Sequence, residues 1–373
     1  DYASVWRDIV DPSASINPDY PTHQVELDDG SELVAVIRDQ GNGRVRLGLG
    51  IRVVQTVMQD HIVKSTPLAH SLMPEGLDKA LSEEERRDLM TFVLTEPLTM
   101  QDYSGLPRDG VNHPPKVRSW EELTAVLAGA PEPASTIRPI KVVLVAGPKD
   151  HGIGEHDYPR WQQVWGKLFA LAEGVEIDTA WEWPSAPQWE QADALVFFKR
   201  GDWSPDKIAT LGSYLERGGG ATFIHWACEA EHAAPALAEL IGMASNRHVM
   251  KYRHGLLELS FAGAAEHPVA RGFTSLGLHD ESYWDLEGDP ASLDVIALAP
   301  EKGEPRPLFW TRELQNPDKK HHGRVFVSIP GHYSRSFDDP LFRVLLLRGI
   351  AWSASEPVDR FNNLIGAGVS LGE

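Results

Sequence analysis

The feature that most narrows the fold is a run of short apolar segments and turns that begins at Ile140. Ile140-Lys-Val-Val-Leu-Val-Ala146 is brief, rich in β-branched residues and ends at Gly147, as expected for a strand buried on both faces of a parallel sheet. A polar loop follows. The next spacing predicts a helix from about Tyr158 to Ala172, with Trp161, Val164, Trp165, Leu168 and Phe169 on one side. Val175-Glu-Ile-Asp178 reads as a second strand and Ala194-Leu-Val-Phe-Phe198 as a third. Ser204-Pro205 opens another helix, with serine as the N-cap and proline in the first turn. Gly218-Gly-Gly220 ends that helix and leads into Ala221-Thr-Phe-Ile-His225. The order β-α-β-β-α-β predicts an α/β fold with an open, mostly parallel sheet. Ligands of such sheets sit beyond the carboxyl ends of the strands. Here those ends carry His151 and His156, Gly201-Asp202-Trp203, and His225-Trp226.

The flanking sequence divides the chain further. Residues 1–98 read as a small β-barrel-like domain plus a helix. Two period-2 stretches flank Asp28-Asp29-Gly30, a hairpin turn signal. A helix follows, capped by Ser82 with Glu85 at its third position; Leu89, Phe92 and Val93 form its apolar face. Residues 99–138, loosely patterned and rich in Pro and Gly, read as a linker lying on a neighbour, with one short helix near Trp120. Residues 139–356 form the α/β domain and 357–373 a tail.

Composition removes several function classes. Lys plus Arg total 35 against 54 Asp plus Glu, a formal net charge of −19. Such a surface repels phosphate backbones, so no nucleic-acid partner is expected. No apolar run is long enough for a membrane span. The one cysteine, Cys228, excludes internal disulfides, CxxC redox chemistry, thiolate zinc clusters and covalent c-type haem attachment. No Gly-x-Gly-x-x-Gly loop follows the first strand, so no nucleotide cofactor is expected. The chain begins at Asp1 and reads as a processed one. A periplasmic or extracellular location is expected, with the cytoplasm as the alternative. The oligomeric state is not legible.

The chemistry-bearing residues are mainly histidines at strand ends. His225 closes an apolar strand at a strand-to-helix corner, but Cys228 lacks the Gly-x-Cys-x-Gly setting of a nucleophile elbow. The loop with His151 and His156 combines two His with Asp and Glu, and suits sugar hydroxyls, proton transfer or a metal. His254 precedes Gly255-Leu-Leu-Glu-Leu259, and His332 follows Val325-Phe-Val-Ser-Ile-Pro-Gly331. Asp280, Glu281 and Tyr283 lie in one strand-like stretch, where Asp280 and Glu281 point to opposite faces. His225, His254 and His332, alone or as two imidazoles with a carboxylate, could ligate a divalent metal such as zinc.

Residues about 139–356 resemble the ThuA-like (trehalose-utilisation) family, whose fold is related to class I glutamine amidotransferases. The resemblance rests on Gly218-Gly-Gly-Ala-Thr-Phe-Ile-His225-Trp226, His267-Pro-Val-Ala-Arg-Gly-Phe273 and Asp280-Glu-Ser-Tyr283. It continues in Gly323-Arg-Val-Phe-Val-Ser-Ile-Pro-Gly-His332 and in Ser336 to Trp352. It implies an open sheet of the flavodoxin or class I glutamine amidotransferase-like type, with His267 structural. Residues about 5–95 resemble the C-terminal part of a bacterial haem-binding cytochrome c-like module, on Ile9-Val-Asp-Pro-Ser-Ala-Ser-Ile-Asn17 and Ser71-Leu-Met73-Pro-Glu-Gly-Leu77. CxxCH is absent, so no haem is expected and Met73 reads as a core or loop residue.

The first resemblance implies catabolism of oxidised disaccharides, in particular 3-keto sugars. A 3-keto group acidifies the neighbouring C–H, so a glycoside can be cleaved by proton abstraction and β-elimination. In that reading His225, His254 and His332 hold a metal or the carbonyl oxygen, Glu281 or His151 is the base, and Tyr283 the acid. A conventional glycoside hydrolase would instead pair Asp202 with Asp280 or Glu281. A non-catalytic carbohydrate-binding or scaffold protein is the third reading. In each case the partner is a small carbohydrate, held by His156, Asp202, Trp203 and Trp226, the indoles offering stacking faces.

Overall fold

The computed structural model describes residues 2–14, 16, 21–39, 43–50, 53–94, 98–100, 117–131, 137–315, 322–369 and 371–372. The chain divides into two units, Asp1–Pro97 and Leu98–Glu373. Among the described residues, no helix is long and apolar enough to cross a membrane.

In the first unit, helices α1 (Tyr2–Val10) and α2 (Glu83–Leu94) accompany five antiparallel strands. These are β1 (Thr22–Leu27), β2 (Glu32–Asp39), β3 (Arg44–Gly50), β4 (Val53–Met58) and β5 (Ile62–Pro67), in the order β4-β3-β2-β1-β5. β4 and β5 are joined by three residues yet lie at opposite edges. So short a link cannot bridge the roughly 19 Å across a flat five-stranded sheet, so the sheet must roll. Val25, Leu27, Ala35, Val45 and Leu47 fill its interior. The Asp28-Asp29-Gly30 turn and the Ser82–Glu85 capping box both form. Met73 is half-buried, its N–H donating to Ser71 Oγ.

The second unit begins with β6 (Arg118–Ser119) and α3 (Trp120–Leu127). Leu98, Met100, Leu123 and Val126 are buried in this unit's core, so the described parts of the expected linker are structural. Its residues 101–116 and 132–136 lie outside the described residues. The α/β body runs β7 (Ile140–Ala146), α4 (Tyr158–Phe169), β8 (Val175–Trp181), α5 (Ala186–Gln191), β9 (Ala194–Phe197), α6 (Pro205–Glu216), β10 (Gly220–Ile224) and α7 (Ala234–Ile241). There follow β11 (Met243–Ala244), β12 (Lys251–Ser260), β13 (Ser275–Trp284), β14 (Glu287–Gly288), β15 (Asp294–Glu301), β16 (Glu304–Gln315), β17 (His322–Ser328), α8 (Pro340–Ser353) and β18 (Leu371–Gly372).

One nine-stranded sheet, in the order β13-β12-β15-β16-β17-β10-β9-β7-β8, carries the site. From β17 to β8 the neighbours are parallel, whereas β13, β12, β15 and β16 form an antiparallel extension. The indoles and apolar side chains of α4 expected to face inward (Trp161, Val164, Trp165, Leu168, Phe169) are all buried. α8 is buried along its whole length. The expected tail packs as well, with Val358, Phe361, Leu364 and Ile365 in the core.

Candidate functional site

Five stretches of chain meet at the carboxyl rim of the parallel strands. β10 is buried throughout and delivers His225 at φ +55, left-handed backbone that a non-glycine residue adopts at a cost. His225 Nδ1 donates to the Ile329 carbonyl at 2.7 Å, which leaves Nε2 of the neutral ring with a bare lone pair. His156, also left-handed at φ +42, comes from the loop after β7. Its backbone N–H donates to the His332 carbonyl at 2.9 Å. Its Nδ1 donates to Asp150 Oδ1 at 2.8 Å, with the Tyr158 hydroxyl 2.8 Å away, so its Nε2 is bare too.

His332 needs the glycine before it. A Cβ on Gly331 (φ +140) would lie 2.7 Å from Ile224 Cγ2, against the end of β10. Asp280 then anchors the turn. Its Oδ1 accepts the N–H groups of Glu281, Gly331 and His332 at 2.7, 3.1 and 2.9 Å, and the Ser336 hydroxyl donates to Oδ2. As strand alternation requires, Asp280 ties down a loop while Glu281 enters the cluster.

Four side chains converge there: His156, His225, Glu281 and His332, all buried. His332 Nδ1 lies 2.9 Å from both His156 Nε2 and Glu281 Oε2. His225 Nε2 lies 3.0 Å from His156 Nε2, 3.3 Å from His332 Nδ1 and 3.2 Å from Glu281 Oε2. Ligands at about 2.0–2.1 Å around a tetrahedral zinc ion stand about 3.3 Å apart, so these donors need to open only slightly to surround one. Protons serve the cluster only in part: the Tyr283 hydroxyl can donate to His225 Nε2 and His332 Nδ1 to His156 Nε2, yet the lone pairs of His156 and His225 still face each other at 3.0 Å. A divalent cation would satisfy all four lone pairs.

The electrostatics agree with that reading. Burial pushes the His156 pKa down to about 3 against the pull of Asp150, so the ring is neutral. Burial would also lower His332, but Glu155 and Glu281 outweigh it and hold the ring up to about 9. Burial would raise Glu281, yet the His225 and His332 rings beside it hold it well below the usual carboxylate range. One positive charge is thus already favoured where the donors meet. Asp150 behind His156 and the Ile329 carbonyl behind His225 are the outer partners that orient metal-binding imidazoles. His332 Nε2 has no hydrogen-bond partner among the described residues and lies 3.8 Å from Glu155 Oε1.

The remaining expected residues fall into two groups. Three surround the cluster. His151, 31% exposed at its side chain, lies with its ring centroid 3.7 Å from that of His156, and its Nδ1 donates to Asp150 Oδ1. Tyr283 is buried, its hydroxyl 2.9 Å from His225 Nε2 and 3.3 Å from Glu281 Oε2, and burial drives its pKa well above the ordinary phenol value. Trp226 sets its ring 5.1 Å from that of His156. His254 takes a different place from the one expected: it is outside the four-donor set. Its Nε2 lies 3.4 Å from Glu281 Oε1, and the Tyr333 hydroxyl lies 2.9 Å from its Nδ1. Asp202 and Trp203 are not in the cluster. Asp202 pairs with Lys199 and Lys207. Trp203, 8% exposed, packs on Trp183, Phe197 and Phe223, and its Nε1 donates to the Ala227 carbonyl. Sequence reasoning assigned no role to Asp150, Glu155, Tyr158 or Tyr333. The signal available was position, since each lies within two residues of a site histidine.

Cys228 is fully buried and its thiol pKa is pushed up to about 12, mainly by burial. A nucleophile needs a thiolate. Iodoacetamide at pH 8 is therefore expected to leave the folded chain unmodified and to label it once in urea; rapid native labelling, read by mass spectrometry, would contradict this placement.

No curated protein matches the chain. Similar solved structures include a ThuA-like protein from Parabacteroides merdae ATCC 43184, 20% identical with a TM-score of 0.45, covering 58% of this chain and 91% of that one. Another is a ThuA-like protein from Bacteroides uniformis ATCC 8492, 15% identical with a TM-score of 0.46, covering 63% and 100%. A β-galactosidase from Bacillus circulans sp. alkalophilus is 8% identical with a TM-score of 0.39, covering 64% and 34%. These likenesses are too distant to carry function. Residues 143–353, more than half of the chain and including every member of the four-donor cluster, match the ThuA family, described as trehalose utilisation, and the chain belongs to that family.

Proposed function

We propose that this chain is a carbohydrate-active lyase that cleaves 3-keto-glycosides by β-elimination, with a divalent metal, zinc by its donor set, held by His156, His225, Glu281 and His332. The observation that carries the reading is the convergence of three imidazole nitrogens and one carboxylate oxygen within 2.9–3.3 Å contacts. A metal held there would supply Lewis-acid stabilisation for charge that develops on the substrate carbonyl oxygen.

The chain's own residues supply the proton transfers. His151 reaches solvent, and the donation of its Nδ1 to Asp150 leaves Nε2 able to accept the acidified proton next to the keto group. As that proton leaves, a carbon–carbon double bond forms and the glycosidic C–O bond breaks. His254, 34% exposed and oriented by Tyr333, relays a proton from solvent to the departing oxygen, its lowered pKa, caused mainly by burial, favouring release of that proton. Tyr283 stacks its ring on that of His225, centroids 4.9 Å apart, and so holds the imidazole from the buried side. The two-carboxylate hydrolase reading is weaker, because Asp280 is taken up by four donors and Asp202 by two lysines. The order β8-β7-β9-β10-β17 also supports reading the parallel half of the sheet as flavodoxin-like.

The test is incubation of metal-loaded protein with a panel of glycosides and their 3-keto derivatives. An unsaturated keto sugar should appear from the 3-keto derivatives alone. Cleavage of the unoxidised glycosides to saturated sugars would favour a hydrolase instead.

A further inference from the structure

A cavity of about 460 Å³ lies beside the imidazole cluster without including any of its four donors. Gly147, Pro148, Glu182, Lys199, Arg200 and Asp202 are among its lining residues. Its position in the sheet is the first argument for a ligand. β7 lies between β8 and β9, so the chain leaves β7 toward one neighbour and reaches the other later. Such a switch point opens a crevice outside the carboxyl ends of the two strands, where open α/β sheets bind ligands. The segments just after β7 and β9, Gly147-Pro148 and Lys199 to Trp203, form the walls of this cavity.

Its charges say what kind of ligand fits. The buried Lys199 ammonium is held by the Arg200 carbonyl and by Asp202, and Glu231 pairs with Arg247. The side chains of Glu182 and Arg200 have no hydrogen-bond or ion-pair partner among the described residues, which leaves a free acceptor and a free donor at the same cavity. An anion would meet Glu182, and a cation would meet Lys199 and Arg200. An uncharged polyol can use both, since each hydroxyl donates and accepts. Trp226 links the cavity wall to the cluster. Gly201 N–H donates to the Trp226 carbonyl at 3.0 Å, and the Trp226 ring packs on His151 and His156.

We propose that this crevice is a second saccharide subsite, in which Glu182, Lys199, Arg200 and Asp202 hold an uncharged sugar ring next to the ring that reacts at the imidazole cluster. The proposal rests on the sugar-lyase reading above and narrows its substrate to a neutral disaccharide.

Calorimetric titration of the full chain with trehalose, without turnover, tests it. Glu182→Ala and Arg200→Ala are each expected to weaken trehalose binding about tenfold, the loss of one charged hydrogen bond, with an unchanged circular dichroism spectrum and metal content. Affinity within twofold of wild type in both variants would overturn the subsite. So would a wild-type chain that binds no trehalose, or one that binds glucuronate or inorganic phosphate more tightly. Elimination from a methyl 3-keto-glucoside, which has no second ring, is measured separately on the wild type. Its absence would count against the proposed reaction and leave the binding result standing.

Discussion

Dialysed His225→Ala protein is expected to contain almost no zinc, against about one ion per wild-type chain, and to lose about a thousandfold or more in turnover. The geometry explains the size of the effect. His225 Nε2 contacts each of the other three donors, so its removal opens one whole face of the set. Several kcal/mol of Lewis-acid stabilisation would leave with the ion, and every ~1.4 kcal/mol is tenfold in rate. Elemental analysis by plasma mass spectrometry reads the metal directly. A thermal melt gives a second readout, because a ligand at a thousand times its Kd stabilises the folded state by about 4 kcal/mol. Added zinc should raise the melting temperature of the wild type and leave that of the variant unmoved. Wild-type protein that shows no metal, and no shift on adding zinc, nickel or manganese, would remove the metal centre. Asp150→Ala, which strips the carboxylate that orients both His156 and His151 but no metal donor, should cost less in metal affinity, about 10–100-fold.

The largest loss of stability is expected from Asp339→Ala. Asp339 and Arg118 form a buried ion pair, with Arg118 Nε and Nη2 donating to Asp339 Oδ2 at 3.0 and 2.7 Å. The other carboxylate oxygen caps α8, accepting the Leu341 and Phe342 N–H groups at 2.9 and 3.4 Å. Alanine leaves the buried Arg118 charge with only the Gly277 carbonyl and the more distant Glu122 carboxylate as partners, a loss of about 3 kcal/mol, and removes a cap worth about 1 kcal/mol. That is a large part of the 5–15 kcal/mol typical of a domain. In urea titrations the midpoint should fall steeply. The double change Arg118→Met with Asp339→Ala should recover part of the loss, because no unpaired charge remains. A single-variant loss below about 1 kcal/mol would show that the pair is not buried as described.

Local rules made much of this architecture legible. The Ser82 and Ser204 caps and the inward stripe of α4 form as their spacing requires. His225 and His332 follow strands, as the alternation of apolar runs and turns indicated. Two things were not legible, for different reasons. His156 enters the cluster through left-handed backbone in a loop, and no periodicity announces a positive φ at a histidine. His254 stands directly opposite Glu281 across the antiparallel pair β12–β13. That register, which pairs residues 15 to 33 positions apart in sequence, makes it a neighbour of the carboxylate and leaves the third imidazole position to His156. The joining of β12 to β15 was equally hidden, because Ser260 and Leu298 pair across 38 positions and so distant a partner leaves no local trace.

The spread of the donor set along the chain also bears on how the proposed metal would be acquired. His156 and His332 touch although 176 positions separate them. A nascent chain on the ribosome lacks the fourth donor until nearly all of the second unit has been made. Ion loading then comes after translation, and the metal supply of the compartment in which folding finishes decides which ion is taken up.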